Sequence, residues 1–234
     1  MREKAYLVTG CLISFVSLVV LLNVISEKCE AVPITNDYAL IAISSINETH
    51  QTEYEKSVAF YEYLIDEGYS SNNIHYYGPS SITYTDGVAN TSNIEDGFEA
   101  LINSTTNTSD VTIYISDHIQ HISQIEFYFN DGIINQTLMD SWLDSMSYSE
   151  LTFIMNGNRS GLVKEFRQAG RTIISSMSEI DETCPDYFNI TRSLENDLAD
   201  RDWDGDVSYE EAFYFERYIL WINQRPQNPQ IWID

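Results

Sequence analysis

Basic residues are scarce in this sequence. Its 234 residues include 12 Lys and Arg against 36 Asp and Glu, which gives a formal net charge of −24. Nucleic acids and anionic lipid surfaces are bound mainly by neutralising their phosphates, so this charge argues against both as partners. It favours divalent cations or cationic surfaces, with simple solubility as the plainer interpretation. We therefore expect no nucleic-acid partner.

Cysteine is also scarce, and no cysteine has the setting of a catalytic thiol. Cys11 lies in an apolar run, and neither Cys29 nor Cys184 follows a hydrophobic strand. In an oxidising exterior Cys29 and Cys184 have the opportunity to pair, whereas cleavage after Ala31 would remove Cys29. The sequence therefore leaves the disulfide open and offers no evident thiol nucleophile.

The N-terminus contains the longest apolar run, "AYLVTGCLISFVSLVVLLNVI" at residues 5–25, which has no charge. A helix of this length, rising ~1.5 Å per residue, crosses a bilayer. Arg2 and Lys4 precede the run, which predicts a cytoplasmic N-terminus and an extracellular remainder. A secretory signal cleaved after Ala31 is the alternative. The chain is expected to be membrane-anchored through residues 5–25, or secreted if that segment is removed.

Glycosylation sequons agree with an exported chain. Seven N-x-S/T triplets occur, at Asn47, Asn90, Asn103, Asn107, Asn135, Asn158 and Asn189. Such triplets are acceptors for N-glycans in secreted proteins, although a sequence rich in Asn and Ser contains several by chance. We expect some of the seven to be glycosylated.

Strands and helices alternate along the chain. Apolar runs predict strands at residues 38–45, 73–78, 110–117, 150–155 and 171–177. Helices are predicted between them: one begins with a Thr52–Glu55 capping box and presents Tyr54, Val58, Tyr61 and Ile65; one is capped by Ser92 with Glu95; one carries Met139, Trp142, Leu143 and Met146. Asn130-Asp131-Gly132 marks a hairpin. The pattern predicts an α/β fold with a mainly parallel sheet covered by helices on both faces.

Two of these strands run into polar segments that meet at one edge of the predicted sheet. "YISDH" ends the strand near residue 116, and "FIMNGNRSG" continues the strand near residue 155 into a small-residue turn. Sites in such sheets lie outside the carboxyl ends of the strands. This pair of segments resembles the legumain family of cysteine peptidases, which includes glycosylphosphatidylinositol transamidases and belongs with the caspases. The resemblance covers residues 38–178 and implies a caspase-like fold.

In that family the first strand ends in a His-Gly pair and the second leads to the nucleophilic Cys. The resemblance places His118 at the histidine and Asn158 at the nucleophile. An amide has no ionisable proton and cannot act as an activated nucleophile. Ile119 stands where the family has the glycine that helps to supply an oxyanion N–H. Both departures predict a pseudopeptidase that binds a peptide or protein ligand. An active cysteine endopeptidase or transamidase is the alternative.

Other chemistry at this edge has less support. Ser160 lies two residues beyond Asn158, which leaves a serine hydrolase as a weak alternative. Asp117, His118 and His121 have spacing that is common in ordinary turns, and no separated ligand joins them to complete a metal site.

The segment "DRDWDGDVSYEE", residues 200–211, matches the EF-hand loop pattern D-x-[DN]-x-[DN]-G-x5-E at every position. The predicted calcium ligands are Asp200, Asp202, Asp204, Asp206, Ser208 and Glu211, and Gly205 provides the sharp turn. Val207 is expected to point into the core. A solvated acidic loop does not require this register, so we expect Ca²⁺ here, at an affinity near ~10⁻⁴–10⁻³ M.

These observations divide the chain into three parts. Residues 1–31 are expected to form the cytoplasmic N-terminus, anchor or signal, and stalk; 32–192 the legumain- or caspase-like domain; and 193–234 an EF-hand-like loop and C-terminal helix packed on the same domain. A calcium-stabilised cell-surface structural protein is the remaining functional alternative.

Overall fold

The structure, a computed structural model, describes residues 36–44, 51–79, 83–121, 124–181 and 187–234, without the side chains of Gln51 and His118. The chain divides into two compact units, Met1–Ile34 and Thr35–Asp234, and all described residues belong to the second. The predicted anchor at 5–25, the three cysteines and Asn47 lie outside the described residues. Within the described part, no helix has the length and hydrophobicity needed to span a membrane.

The described residues form a six-stranded sheet in the order β2-β1-β3-β7-β8-β9. Its strands are β1 (Tyr38–Ile43), β2 (Ile74–Tyr77), β3 (Asp110–Ser116), β7 (Glu150–Asn156), β8 (Arg171–Ser175) and β9 (Gln230–Ile233). All neighbours pair in parallel except β9, which is antiparallel to β8. The α/β prediction and its five strand predictions are confirmed, whereas β9 was not predicted.

A second sheet of three antiparallel strands leaves the main sheet after β3. It contains β4 (His118–His121), β5 (Ile125–Phe129) and β6 (Gly132–Asn135). Phe129 pairs with Gly132, so that Asn130 and Asp131 form a two-residue hairpin loop as predicted. Strand β4 was not predicted. Its position shows that the chain leaves the main sheet immediately after β3 and enters the second sheet.

In the described part of the chain, five α-helices flank the sheet: α1 (Gln51–Asp66), α2 (Thr91–Ser104), α3 (Gln136–Ser145), α4 (Ile190–Leu194) and α5 (Tyr209–Ile222). Two predicted caps are wrong. Helix α1 already includes Thr52, and α2 is capped by Asn90, whose side chain accepts the N–H of Asn93 at 2.8 Å. Asn and Ser are equally good N-cap residues, and Asn90 comes first in the chain. The helix therefore begins earlier than predicted.

The core lies in two layers, one on each face of the main sheet. One layer packs α2, α3 and the small sheet against the strands, and the other packs α1, α4 and α5 against the opposite face. The apolar stripe predicted for α1 is confirmed only in part: Tyr54 and Tyr61 pack against the core, whereas Ile65 is 36% exposed. Phe60 and Leu64, which were not in the predicted stripe, are fully buried. The buried face of α1 also carries Glu53, Lys56 and Ser57. This helix therefore brings polar groups under the carboxyl end of the sheet.

Candidate functional site

The adjacent ends of β3 and β7 form the centre of the rim, which we define as residues 116–121 and 156–161. The two strands pair in parallel through Ser116 and Asn156. Beyond that pair, the N–H of Asp117 donates to the carbonyl of Asn156 at 3.0 Å. The backbone then separates, with β4 beginning at His118 and a turn beginning at Gly157. The two segments singled out in the sequence thus leave the sheet side by side.

Gly157 allows this close approach. A Cβ atom at this position would lie 1.9 Å from the carbonyl oxygen of Asp117, and its φ of +146° belongs to a region that favours glycine. Arg159 follows with a left-handed φ of 55°, and its N–H donates to the carbonyl of Asp181 at 2.9 Å. A sharp turn therefore carries Asn158 at its tip, between two conformationally special residues.

The dyad positions implied by the resemblance follow the paired strand ends by two residues each. Asn158 is half-buried in the turn, and the backbone of His118 begins β4 and pairs with Tyr128. The side chain of His118 lies outside the described part of the structure. The fold thus places both backbone positions on one rim, as the sequence predicted. The neighbouring Ile119 is fully buried in the core.

The two serines of the rim, Ser116 and Ser160, are enclosed. Ser160 is fully buried, and its hydroxyl accepts the N–H of Met177 at 2.9 Å. Ser116 is also buried, and its hydroxyl donates to Glu53 at 2.7 Å. Because both hydroxyls are enclosed and hydrogen-bonded, the serine-hydrolase alternative finds no accessible nucleophile in Ser116 or Ser160.

A buried polar cluster supports the rim from below. Glu53 of α1 is 6% exposed and accepts hydrogen bonds from Ser116 and from the side-chain amide of Asn156. The ammonium of Lys56 lies 3.2 Å from the other oxygen of Glu53. The Oδ1 atom of Asn156 has no hydrogen-bond donor among the described residues, and internal waters usually serve such atoms. The cluster ties α1 to the ends of β3 and β7.

The sequence analysis missed this cluster because the apolar stripe predicted for α1 leaves out Glu53 and Ser57. The available signal was the helical spacing of four, three and four residues that links Glu53 and Ser57 to the apolar positions Phe60 and Leu64. Those positions share one helix face. A polar start to an otherwise apolar face indicates a buried polar group that faces a strand end.

An open pocket of about 500 Å³ lies beside the turn that carries Asn158. The turn and the short 3₁₀ helix after it form one wall, the start of the small sheet forms another, and the segment after β8 closes the third. The lining residues are His121, Ile125, Gln136, Arg159, Leu162, Glu165, Glu179 and Ile180. Apolar and charged groups of both signs therefore face one space of the size that small ligands occupy in proteins, about 300–1,000 Å³.

Gly161 fixes the wall of this pocket against the segment after β8. A Cβ at Gly161 would lie 2.5 Å from the backbone nitrogen of Glu179. Glu179 also forms an ion pair with Lys164 of the 3₁₀ helix Ser160–Phe166. The pocket wall is thus held by backbone contact and by a charge pair across it.

The acidic loop gathers three of the six predicted calcium ligands. One carboxylate oxygen from each of Asp200, Asp202 and Asp204 lies within 4.8 Å of the others. Asp200 accepts the N–H of Trp203 at 2.7 Å and that of Gly205 at 3.1 Å. Gly205 has a φ of +98°, as the predicted sharp turn requires. Exposed acidic groups commonly gather in this way without an ion, so the cluster alone does not identify a metal site.

The remaining predicted ligands lie outside that group of three. Glu211 forms a capping box with Ser208 at the start of α5, and its Oε1 accepts the N–H of Arg201 at 2.8 Å. The hydrogen bonds from the Arg201 N–H and from Ser208 lower the pKa of Glu211 to about 2. Asp206 is exposed, and Val207 packs against the core as predicted. Glu211 is thus ionised at neutral pH and faces the loop, but it is engaged as a helix cap.

No protein-family model matches this chain, and comparison with curated proteins finds no significant relative.

Proposed function

We propose that this chain is a legumain-like pseudopeptidase, held outside the cytoplasm by its N-terminal segment, that binds a peptide or protein segment at the rim. The pocket beside Asn158 carries the proposal. It lies next to the turn that the resemblance identifies as the nucleophile position, and its lining includes His121, Glu179 and Ile180. A peptide-binding role at this rim requires a pocket lined by residues 116–121 and 175–180, and these three residues lie in those ranges.

The chemistry of the rim supports binding without hydrolysis. Asn158 has no proton that a neighbouring base can remove to generate a nucleophile. Ser116 and Ser160 are buried and hydrogen-bonded, and the sequence from 36 to 234 has one cysteine, Cys184, which lies outside the described residues. A bound segment would rest its apolar side chains against Leu162 and Ile180.

We propose calcium as a structural ligand of the acidic loop. The carboxylates of Asp200, Asp202 and Asp204 supply the oxygen ligands that this hard cation prefers. Completing the predicted site requires Glu211 to exchange its cap hydrogen bonds for the ion. Since the loop joins α5 to the rest of the domain and Val207 packs in the core, an ion here would brace the C-terminal helix.

The location outside the cytoplasm is tested by adding protease to intact cells that express the full chain. The charge distribution around residues 5–25 predicts that residues 32–234 are digested. Full protection of these residues would overturn the topology.

Peptide binding is tested by probing an array of random peptides with the soluble part of the chain. We expect a subset of sequences to bind, and Arg159→Gln and Ile180→Asp to abolish binding, because both side chains line the pocket. Ile180 is 78% exposed, so its replacement should not unfold the domain. Arg167→Gln, an exposed arginine paired with Asp234 outside the pocket lining, is the matched control.

Hydrolysis distinguishes the proposal from the active-peptidase alternative. The unmodified protein should not cleave Asn-, Asp- or Arg-directed peptides. Asn158→Cys should gain labelling by thiol-directed probes over the unmodified protein while gaining little turnover, since the cysteine alone does not supply an oxyanion site. Turnover by the unmodified protein that His118→Ala abolishes would favour the active peptidase. If no peptide binds and none is cleaved, the acidic loop favours a calcium-stabilised structural protein.

A further inference from the structure

Six of the seven sequons fall in the described part of the chain, and the structure separates them into two groups. Asn103 and Asn107 are exposed, whereas Asn90, Asn135, Asn158 and Asn189 are half-buried. An N-glycan is bulky and must extend from the surface, so the folded chain does not accommodate it equally at these positions.

Three of the half-buried asparagines have structural roles as helix N-caps. Asn90, Asn135 and Asn189 accept backbone N–H groups at 2.8, 3.0 and 3.3 Å, at the starts of α2, α3 and α4. Each side chain is therefore held down against the first turn of its helix. A glycan joined to the amide nitrogen of such a side chain has to leave through the neighbouring surface.

Asn158 occupies a still more restricted place. Gly157 before it lies against the backbone of Asp117, and Arg159 after it donates its N–H to the carbonyl of Asp181. Arg159 also lines the pocket. A glycan at Asn158 would have to emerge from this tight turn at the edge of the pocket and would cover it.

Asn103 and Asn107 have no such constraint. Asn103 lies in the last turn of α2, and Asn107 lies in the loop that joins α2 to β3. Neither side chain is hydrogen-bonded to another described residue. The loop is closed instead by Ser109, whose N–H donates to the carbonyl of Thr106 and whose hydroxyl accepts the Thr106 N–H at 3.1 Å. Glycans at Asn103 and Asn107 would therefore break no contact that shapes the loop.

The loop that carries Asn107 also lies at the end of the sheet where β3 begins, whereas the pocket lies near the end where β3 stops. The loop immediately precedes Asp110, the first residue of β3, whereas the rim follows the last residue of that strand. The carbonyl of Ser109 accepts the N–H of Ser149, which precedes β7 in the same way. Carbohydrate on this loop thus points away from the surface that would take a peptide.

We infer that Asn103 and Asn107 are N-glycan acceptors and that Asn158 is not. We call the end of the domain where β3 and β7 begin, which carries Asn103 and Asn107, its base. The inference rests on the proposed location of the domain outside the cytoplasm. It gives the domain a glycan-covered base and a carbohydrate-free rim.

The full chain, expressed in eukaryotic cells, is treated with peptide-N-glycosidase, and the carbohydrate-dependent steps in its gel mobility are counted. Asn103→Gln and Asn107→Gln should each lose one step, and the double variant two. Asn158→Gln, a matched substitution at the rim, should lose none. Mass spectrometry of the deglycosylated wild type should find conversion of Asn to Asp at positions 103 and 107 and no conversion at 158.

Conversion at Asn158, or unchanged steps in the double variant, would overturn the inference. Protease digestion of the same intact cells separates its failure from that of the topology. A chain that is digested from outside but carries no glycan at Asn103 or Asn107 contradicts the inference alone. A protected, unglycosylated chain contradicts both.

Discussion

The rim and the acidic loop both gather polar side chains, but these side chains find their hydrogen-bond partners in different places. At the rim, Glu53 and Asn156 are 6% and 1% exposed, and their partners come from α1, β3 and β7. In the loop, Asp200 and Asp204 are bonded to backbone N–H groups of the loop itself. The rim cluster is therefore part of the framework of the domain, whereas the loop carboxylates hold only their own loop.

Burial determines how much free energy of unfolding each region loses when a contact is removed. Breaking a buried carboxylate contact, by removing either the carboxylate or its partner, costs several kcal/mol, because no water replaces the lost contact. An exposed carboxylate is rehydrated when its contacts are lost, so exposed groups remain available to an added cation. The rim is thus expected to respond strongly to substitution, and the loop to added ligand.

The largest effect is expected at the centre of the rim cluster. Glu53→Ala should destabilise the domain by about 3–5 kcal/mol, because it removes the buried carboxylate that Ser116, Asn156 and Lys56 share. Urea denaturation measures the change. Glu99→Ala, at an exposed position inside α2, is the matched control and should change stability by no more than about 0.5 kcal/mol. Equal effects of the two substitutions would contradict a structural role for the cluster.

The next effect concerns Ile119, which the resemblance places at a glycine of the family. Since Ile119 is fully buried in the core, Ile119→Ala should cost about 2–5 kcal/mol through lost burial and the cavity that remains. Ile133→Ala on β6, where the side chain is 49% exposed, serves as the control. Restoring glycine at 119 is therefore expected to destabilise the domain. A loss of stability smaller than that of Ile133→Ala would contradict this expectation and show that the core around Ile119 relaxes to fill the cavity.

The fold was largely predictable because its central strands are continuous apolar runs. Both faces of β1, β3 and β7 are buried, so these strands contrast with the polar segments around them. Strand β9 lacked this contrast: it has four residues and follows Pro229, and its pairing with β8 depends on tertiary structure. The cap of α2 was misplaced because "NTSN" offers several capping residues in succession.

The candidate site was predictable only in its backbone positions. The strand ends led to His118 and Asn158, and the motif led to the acidic loop. Glu53 is distant in sequence from both rim segments, so no local pattern connects it to Ser116 or Asn156. The engagement of Glu211 as a helix cap was hidden for another reason: a capping box and a calcium-ligand pattern both require a carboxylate at that position.

The third-largest expected effect is the stabilisation of the folded chain by calcium. At ten to a hundred times a dissociation constant near 10⁻⁴–10⁻³ M, an ion that binds only the folded chain adds about 1.4–2.7 kcal/mol. The gain should appear as a higher melting temperature in about 10 mM calcium, which is ten to a hundred times that dissociation constant. Glu211→Gln should remove most of the gain, whereas Glu210→Gln, its exposed neighbour in the same helix, should retain it. No gain in the wild type would contradict the calcium proposal and leave the rim unaffected.

The smallest effect is a pH dependence that originates away from both regions, at His75 in β2. Burial lowers the pKa of His75 from its ordinary value of 6.5, and the nearby charge of Asp86 opposes that shift only in part. Below pH 6.5 the unfolded chain therefore takes up a proton that the folded chain does not. The stabilisation from this residue is complete above that pH and is lost below it, by less than about 1.4 kcal/mol per pH unit.

His75→Gln should flatten the fall in urea midpoint between about pH 7 and pH 5 relative to wild type, and the exposed Ser92→Gln should not. Parallel profiles for wild type and His75→Gln would show that the imidazole titrates alike in the folded and unfolded states, which would contradict the prediction.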